Sequence, residues 1–151
     1  YYFHGERGRA GLETHRFDFC RLLWHLWSTG WNFDDAVFNR TAESFKDPDF
    51  VGLVIHSYRH RYGLVEGDPA YGDTEKRLAS RPPITVPAIS LDGGSDGVMA
   101  PSGSEAHGEL FAGPYERRVL EGIGHNVPQE APGQFAEAVL ALLPSESKAP
   151  V

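Results

Sequence analysis

The sequence predicts an α/β chain in which a helical first part leads into parallel strands joined by crossover helices. Up to about Tyr62, apolar residues recur at helical spacing with no strand among them. Beyond residue 81 the order becomes strand, loop, helix, strand, loop, helix, the alternation of a parallel sheet. The composition is that of an ordinary globular protein, 40% hydrophobic and 23% charged over 151 residues.

The elements follow in order. Leu12, Phe19, Leu22, Leu23 and Leu26 form the stripe of an amphipathic helix that closes near Ser28-Thr29-Gly30. Asn32, with Asp35 three residues on, reads as the N-cap of a shorter helix through Phe38 and Phe45. Asp47-Pro48 opens a third helix carrying Val51, Val54, Ile55, Tyr58 and Tyr62, with Gly63 as its stop. Gly67, Asp68-Pro69, Gly72 and Pro82-Pro83 punctuate a connection that has room for one short helix over Asp73 to Ser80. Ile84 to Leu91 is a β-branched run of strand type, bounded by the loop Asp92 to Gly97. A helix around Gly103 to Phe111, a strand over Tyr115 to Glu121, the loop Gly122 to Pro128 and a helix with Phe135, Val139 and Leu142 complete the pattern. The organisation expected is residues 1–80 as a helical segment with its connection, 81–143 as strands and helices, and 144–151 as a tail. Two strands cannot make a parallel sheet with both faces covered, so the sheet is expected to be completed by something outside this chain.

Charge and cysteine usage narrow the function. A net charge of −7 makes nucleic acid and anionic membrane poor partners and favours a small-molecule substrate. The single cysteine, Cys20, has no disulfide partner within the chain, and no apolar run approaches the ~20 residues of a membrane span, so a cytoplasmic setting is expected. Met99 is the only methionine and the chain opens at Tyr1, which reads as a processed product or fragment. Oligomeric state is not encoded legibly.

In an open parallel sheet ligands bind beyond the carboxyl ends of the strands, where Asp96 follows the first strand and His125 the second. A carboxylate bonded to one imidazole nitrogen fixes the tautomer and leaves the other nitrogen to take a proton from water or a nucleophile. Either residue alone reads equally well as a turn cap or a loop histidine; the pair, in order at the same end of two strands, reads as two thirds of a catalytic triad.

The segment Gly122-Ile123-Gly124-His125-Asn126-Val127-Pro128-Gln129-Glu130-Ala131-Pro132 resembles the histidine loop of the α/β-hydrolase superfamily, Gly-x-Gly-His followed by Glu-x-Pro. Val86 to Asp96 resembles its acid loop, Val-Pro and an apolar strand leading to x-Gly-x-x-Asp. Tyr2 to Gly11 with the Leu22-Leu23 helix resembles the first lid segment of the epoxide-hydrolase-like branch, and Ser57-Tyr58-Arg59 resembles its later lid helix. The similarity runs from Tyr1 to about Leu143. It implies the C-terminal portion of an α/β-hydrolase fold preceded by a helical lid. It implies that His125 activates water, that Asp96 is its acid partner, and that Tyr58 is a lid hydroxyl polarising an epoxide oxygen, with no cofactor and no metal. The family's nucleophile elbow, Gly-x-Asp-x-Gly, precedes the lid and has no counterpart in this chain. The resemblance therefore implies a nucleophile-bearing N-terminal half as partner and an inactive chain in its absence. It also pairs Tyr58 with a second lid tyrosine just upstream of Tyr1. Gly97 stands where the family often has proline, and some relatives take the acid from an earlier strand. A dehalogenase or carboxylester hydrolase on the same scaffold, and a non-catalytic half-domain that binds a ligand or partner, are the alternatives.

Four patterns weigh less. Gly93-Gly94-Ser95-Asp96-Gly97 matches the serine elbow Gly-x-Ser-x-Gly, but Pro101 breaks the helix that must follow an elbow. His56 and His60 have the i, i+4 spacing of zinc ligands, but Ser57 replaces the glutamate of His-Glu-x-x-His. Asp92, Gly94 and Asp96 are spaced like a calcium loop that lacks its closing glutamate. Trp24, Trp27 and Trp31, at helical spacing, read as core before they read as pocket lining.

Overall fold

The computed structural model describes residues 1–143, so the predicted tail lies outside the described residues. The described residues divide into two compact units, one of Tyr1–His25 with Asn32–Arg81, the other of Leu26–Trp31 with the residues from Pro82 onward. Among the described residues no helix is long and apolar enough to cross a membrane.

The first unit is helical. After a 3-10 turn at Tyr2–His4 comes α1, Glu6–Trp27, whose helical geometry is interrupted at His15; its last residues, Leu26 and Trp27, belong to the second unit. Helix α2, Asp35–Ala42, is capped by Asp34 and not by Asn32 as the sequence predicts: the Asp34 carboxylate accepts from the Val37 amide at 2.8 Å. Asn32 lies two residues too early for an N-cap oxygen, which must reach the second or third helical amide. The helix also ends earlier than predicted, tightening after Ala42 into a 3-10 turn, Glu43–Lys46, that buries Phe45. Helix α3, Phe50–Arg61, stops where the sequence places its stop. Gly63, at φ +68°, donates to the His60 carbonyl and Leu64 to that of Arg59, the paired bonds of a glycine C-cap. Helix α4, Gly72–Ala79, follows a 3-10 turn capped by Asp68 and buries none of its residues.

The core of this unit is aromatic. Phe38 and Leu12 are almost fully buried with Ile55, and Trp24 meets Phe38 edge-on at 5.3 Å between ring centroids. Arg59 on α3 donates to the His4 carbonyl at 3.1 Å and to Glu6 at 2.9 Å, tying α3 to the start of α1.

The second unit holds a two-stranded parallel sheet, β1 (Ala88–Gly93) and β2 (Tyr115–Leu120), in register from Ala88 opposite Tyr115 to Gly93 opposite Leu120. The predicted strand start at Ile84 shrinks to one isolated bridge with Phe111: the Ala112 amide donates to the Ile84 carbonyl, but Pro114, two residues on, has no amide hydrogen to continue the ladder before β1 begins at Ala88. The segment predicted as a helix around Gly103 to Phe111 is a 3-10 helix, Pro101–Leu110. Two glycines within ten residues make a regular α-helix costly there. Pro132 divides the last helical stretch into α5, Val127–Glu130, and α6, Pro132–Ala141.

Few apolar side chains are buried in this unit. Val127, Ala131 and Ala138 are, while Phe135, Val139 and Leu142 stay 41%, 47% and 40% exposed. With Ile89 and Leu91 of β1 they line an open groove of about 440 Å³. A parallel sheet is ordinarily covered on both faces, and this one leaves an apolar face bare.

Candidate active site

Asp96 and His125 lie in the loops that leave the carboxyl ends of β1 and β2. Ladder-like bonds continue past the strand ends and hold these loops side by side: Gly94 donates to the Leu120 carbonyl and Ser95 to that of Ile123, each at 2.8 Å. A Cβ on Gly93 would run into the Gly124 carbonyl oxygen, so close approach of the two loops requires glycine there. Gly122, at φ +75°, turns the chain out of β2 in the left-handed region that glycine favours.

The structure brings the two predicted residues together. His125 Nδ1 lies 2.9 Å from Asp96 Oδ2. A carboxylate only accepts, so Nδ1 carries the proton and the neutral imidazole keeps its lone pair on Nε2. The other carboxylate oxygen of Asp96 accepts from the Val98 amide at 2.7 Å and the Met99 amide at 3.1 Å. The Asp96 side chain is 13% exposed and that of His125 38%. Burial pushes the Asp96 carboxyl up, but the His125 hydrogen bond and the two amides outweigh it and hold the group below its ordinary value. The acid is thus ionised and aimed, and the imidazole is partly open. A cavity of about 190 Å³ adjoins both, walled by Leu91, Met99, Pro101 and Val127.

A second polar cluster braces the acid loop. Asp92, at the end of β1, accepts from Arg117 Nε and Ser104 Oγ, both at 2.6 Å, and Arg117 also donates to the Pro101 carbonyl at 2.5 Å. These bonds join both strands to the start of the 3-10 helix that follows Asp96.

The segment Leu26–Trp31 contributes in a way the sequence did not reveal. The Trp27 carbonyl accepts from Gly97 at 2.9 Å and from His125 at 3.1 Å, one oxygen serving both loops. The Trp27 indole meets the His125 ring edge-on at 5.3 Å, and buried Ser28 accepts from Asn126 Nδ2 at 2.9 Å. A Cβ on Gly97 would clash with the Leu26 carbonyl, and one on Gly124 would lie 2.5 Å from Ser28 Cα. Those two glycines are what the close backbone contact requires of the sequence.

Tyr58 lies on α3 in the first unit, half-buried, with its ring 4.9 Å from Phe3 and the Arg61 guanidinium 5.5 Å above it. Of the minor patterns, Ser95 sits in a turn followed by irregular backbone, without the helix of an elbow. The His56 and His60 rings stack at 5.9 Å, and no group of three or more candidate metal ligands occurs among the described residues.

No family model matches the chain. It is 33% identical over 60 residues, 40% of this chain and 19% of the relative, to "Epoxide hydrolase A" of Mycobacterium tuberculosis. It superimposes on the crystal structure of a "putative epoxide hydrolase" from Klebsiella pneumoniae with a TM-score of 0.88 and 42% identity, over 93% of this chain and 47% of that one. The chain therefore spans about half the length of that solved relative and a fifth of the curated one. It is a mixed α/β chain with a small parallel sheet, similar in sequence and structure to proteins named epoxide hydrolases, and its relationship is epoxide-hydrolase-like.

Proposed function

We propose that this chain is the lid and the C-terminal part of the core of an α/β-hydrolase that opens small, fairly apolar epoxides. In this reading residues 1–80 form the lid with its connection and 81–143 the core. The observation that carries it is the 2.9 Å bond between Asp96 and His125 at the carboxyl ends of two adjacent parallel strands. The bare apolar groove beside β1 supports a further strand and helix docking there, from the nucleophile-bearing half of the same hydrolase.

The chemistry runs in two steps. An aspartate carboxylate on the other half attacks an epoxide carbon; the carbon–oxygen bond breaks, and the Tyr58 hydroxyl gives its proton to the alkoxide as it forms. A neutral phenol suits that task because it stabilises developing negative charge without bringing a cation into an apolar pocket. His125 Nε2 then takes a proton from water, and the hydroxide attacks the ester carbonyl; as the intermediate collapses the imidazolium gives its proton to the departing diol oxygen, and the remaining acid proton returns to Tyr58, which restores the carboxylate and the phenol. Asp96 steadies the imidazolium that appears in this second step. This chain alone is expected to be inactive, since it holds the base and its acid but no placed nucleophile.

The test is mass spectrometry of the full-length enzyme with a small aryl epoxide. His125→Ala should accumulate a covalent ester at one equivalent while steady turnover falls by at least a thousandfold. Tyr58→Phe should slow ester formation yet spare hydrolysis of a simple carboxylic ester. Normal turnover in His125→Ala, or equal losses on both substrates in Tyr58→Phe, sinks the assignment. The same spectra separate an aspartate from a serine nucleophile by the residue that carries the adduct.

A further inference from the structure

We infer that Glu130 is a positioning residue for His125, an inference that rests on the reading of His125 as the base. The Glu130 carboxylate spans the histidine loop: Oε2 accepts from the Gly124 amide at 2.8 Å and Oε1 from the Asn126 amide at 2.9 Å. Those are the two amides that flank His125. The His125 amide itself donates to the Trp27 carbonyl at 3.1 Å, so three successive amides are each held by a separate acceptor bond. With the backbone on both sides tied, the Cα–Cβ direction of His125 is set before its ring meets Asp96.

A purely structural reading is that Glu130 reaches back to cap α5, whose N-cap is Asn126. That accounts for the Asn126 bond alone. Gly124 lies outside the helix, two residues before its cap, and has nothing to gain from helix capping. Both oxygens are spent on the loop, in charge-assisted bonds of the stronger kind. Glutamine offers one oxygen where two are needed, and its NH2 would face an amide donor. Aspartate keeps the charge but is shorter by one carbon–carbon bond, about 1.5 Å.

The experiment is an NMR titration of the His125 ring with amide hydrogen exchange at Gly124 and Asn126, in wild type, E130Q, D96N and the double variant, as the full-length protein. E130Q should speed exchange at one or both amides at least tenfold and lower the His125 midpoint in the same direction as D96N. In the D96N background E130Q should shift the midpoint no further, because the effect passes through alignment with Asp96. A His125 midpoint that E130Q leaves unmoved while D96N lowers it overturns the inference and reduces Glu130 to a helix cap. An E130Q shift that persists undiminished in D96N is the loss of direct charge attraction between the Glu130 carboxylate and the imidazolium, and overturns it equally. If D96N itself leaves His125 unmoved, the Asp96–His125 reading beneath the proposal fails instead. E130D, with its charge kept and its reach lost, supplies the same comparison should E130Q not fold.

Discussion

Replacing Gly124 by alanine probes the join between the Leu26–Trp31 segment and the histidine loop. The added Cβ would lie 2.5 Å from Ser28 Cα, 2.9 Å from Ser28 Cβ and 3.0 Å from Glu130 Oε1. Carbon atoms in contact sit about 3.5–4.0 Å apart, so the two backbones must separate by about 1 Å. Ser28 is 1% exposed and the nearest atom belongs to its main chain, so no side-chain rotation relieves the clash. Separation strains two hydrogen bonds, the His125 amide to the Trp27 carbonyl and the Asn126 amide group to Ser28 Oγ. Overpacking costs about 1–3 kcal/mol, and each lost bond about 1 kcal/mol. Against this, alanine regains up to about 1 kcal/mol by restricting the unfolded chain. The net expectation is a loss of about 2–4 kcal/mol in urea unfolding at unchanged m-value, followed by tryptophan fluorescence. Gly133→Ala is the control: a Cβ there meets nothing within 4 Å, and alanine should leave stability equal or slightly higher. A loss under about 0.5 kcal/mol in Gly124→Ala, with the His125 amide still slow to exchange, would refute the packing argument.

Two further outcomes are accessible. Asp96 has a folded-state pKa below its unfolded value, so its contribution to stability is complete above the unfolded pKa of about 3.9 and is lost as pH falls through the folded one. Asp96→Asn should therefore lower stability at neutral pH and flatten its decline in acid, the two curves converging below about pH 4; parallel curves down to pH 2 would contradict the pairing. Arg117→Met should cost about 1–3 kcal/mol, because it leaves the Asp92 carboxylate, 17% exposed, with Ser104 as its remaining side-chain partner. The Asp92→Asn, Arg117→Met double variant should recover part of that loss in thermal unfolding, and simple additivity would show that the pair is not coupled.

The solved relative and this chain share a fold over nearly all of the present sequence, yet the second unit keeps its apolar groove open. The two units differ accordingly in how their hydrophobic residues are spent. The first closes Phe38, Leu12 and Ile55 into a core of its own, whereas the second leaves Phe135 and Val139 to solvent beside β1. That contrast is the observation behind the docking proposed at the sheet.

Local chemistry was enough to read much of this protein from its residues. Helical spacing marks α1 and α3, Gly63 marks a C-cap, and the placement of Asp96 and His125 after successive strands marks the candidate dyad. Each of these rests on residues close in sequence or on the simple rule that parallel strands present their carboxyl-end loops together. The errors were local too: Asp34 and not Asn32 caps α2, and the segment after Pro101 winds as a 3-10 helix, because near-equivalent caps and glycine-rich turns differ by little energy. What tertiary structure alone decided is the support of the dyad. The bond from Asn126 to Ser28 spans 98 residues, and the Trp27 carbonyl that anchors both loops is a backbone atom common to every residue type. A main-chain acceptor leaves no signature in side-chain identity, so only folding could reveal that the end of α1 holds the two chemistry-bearing loops in place.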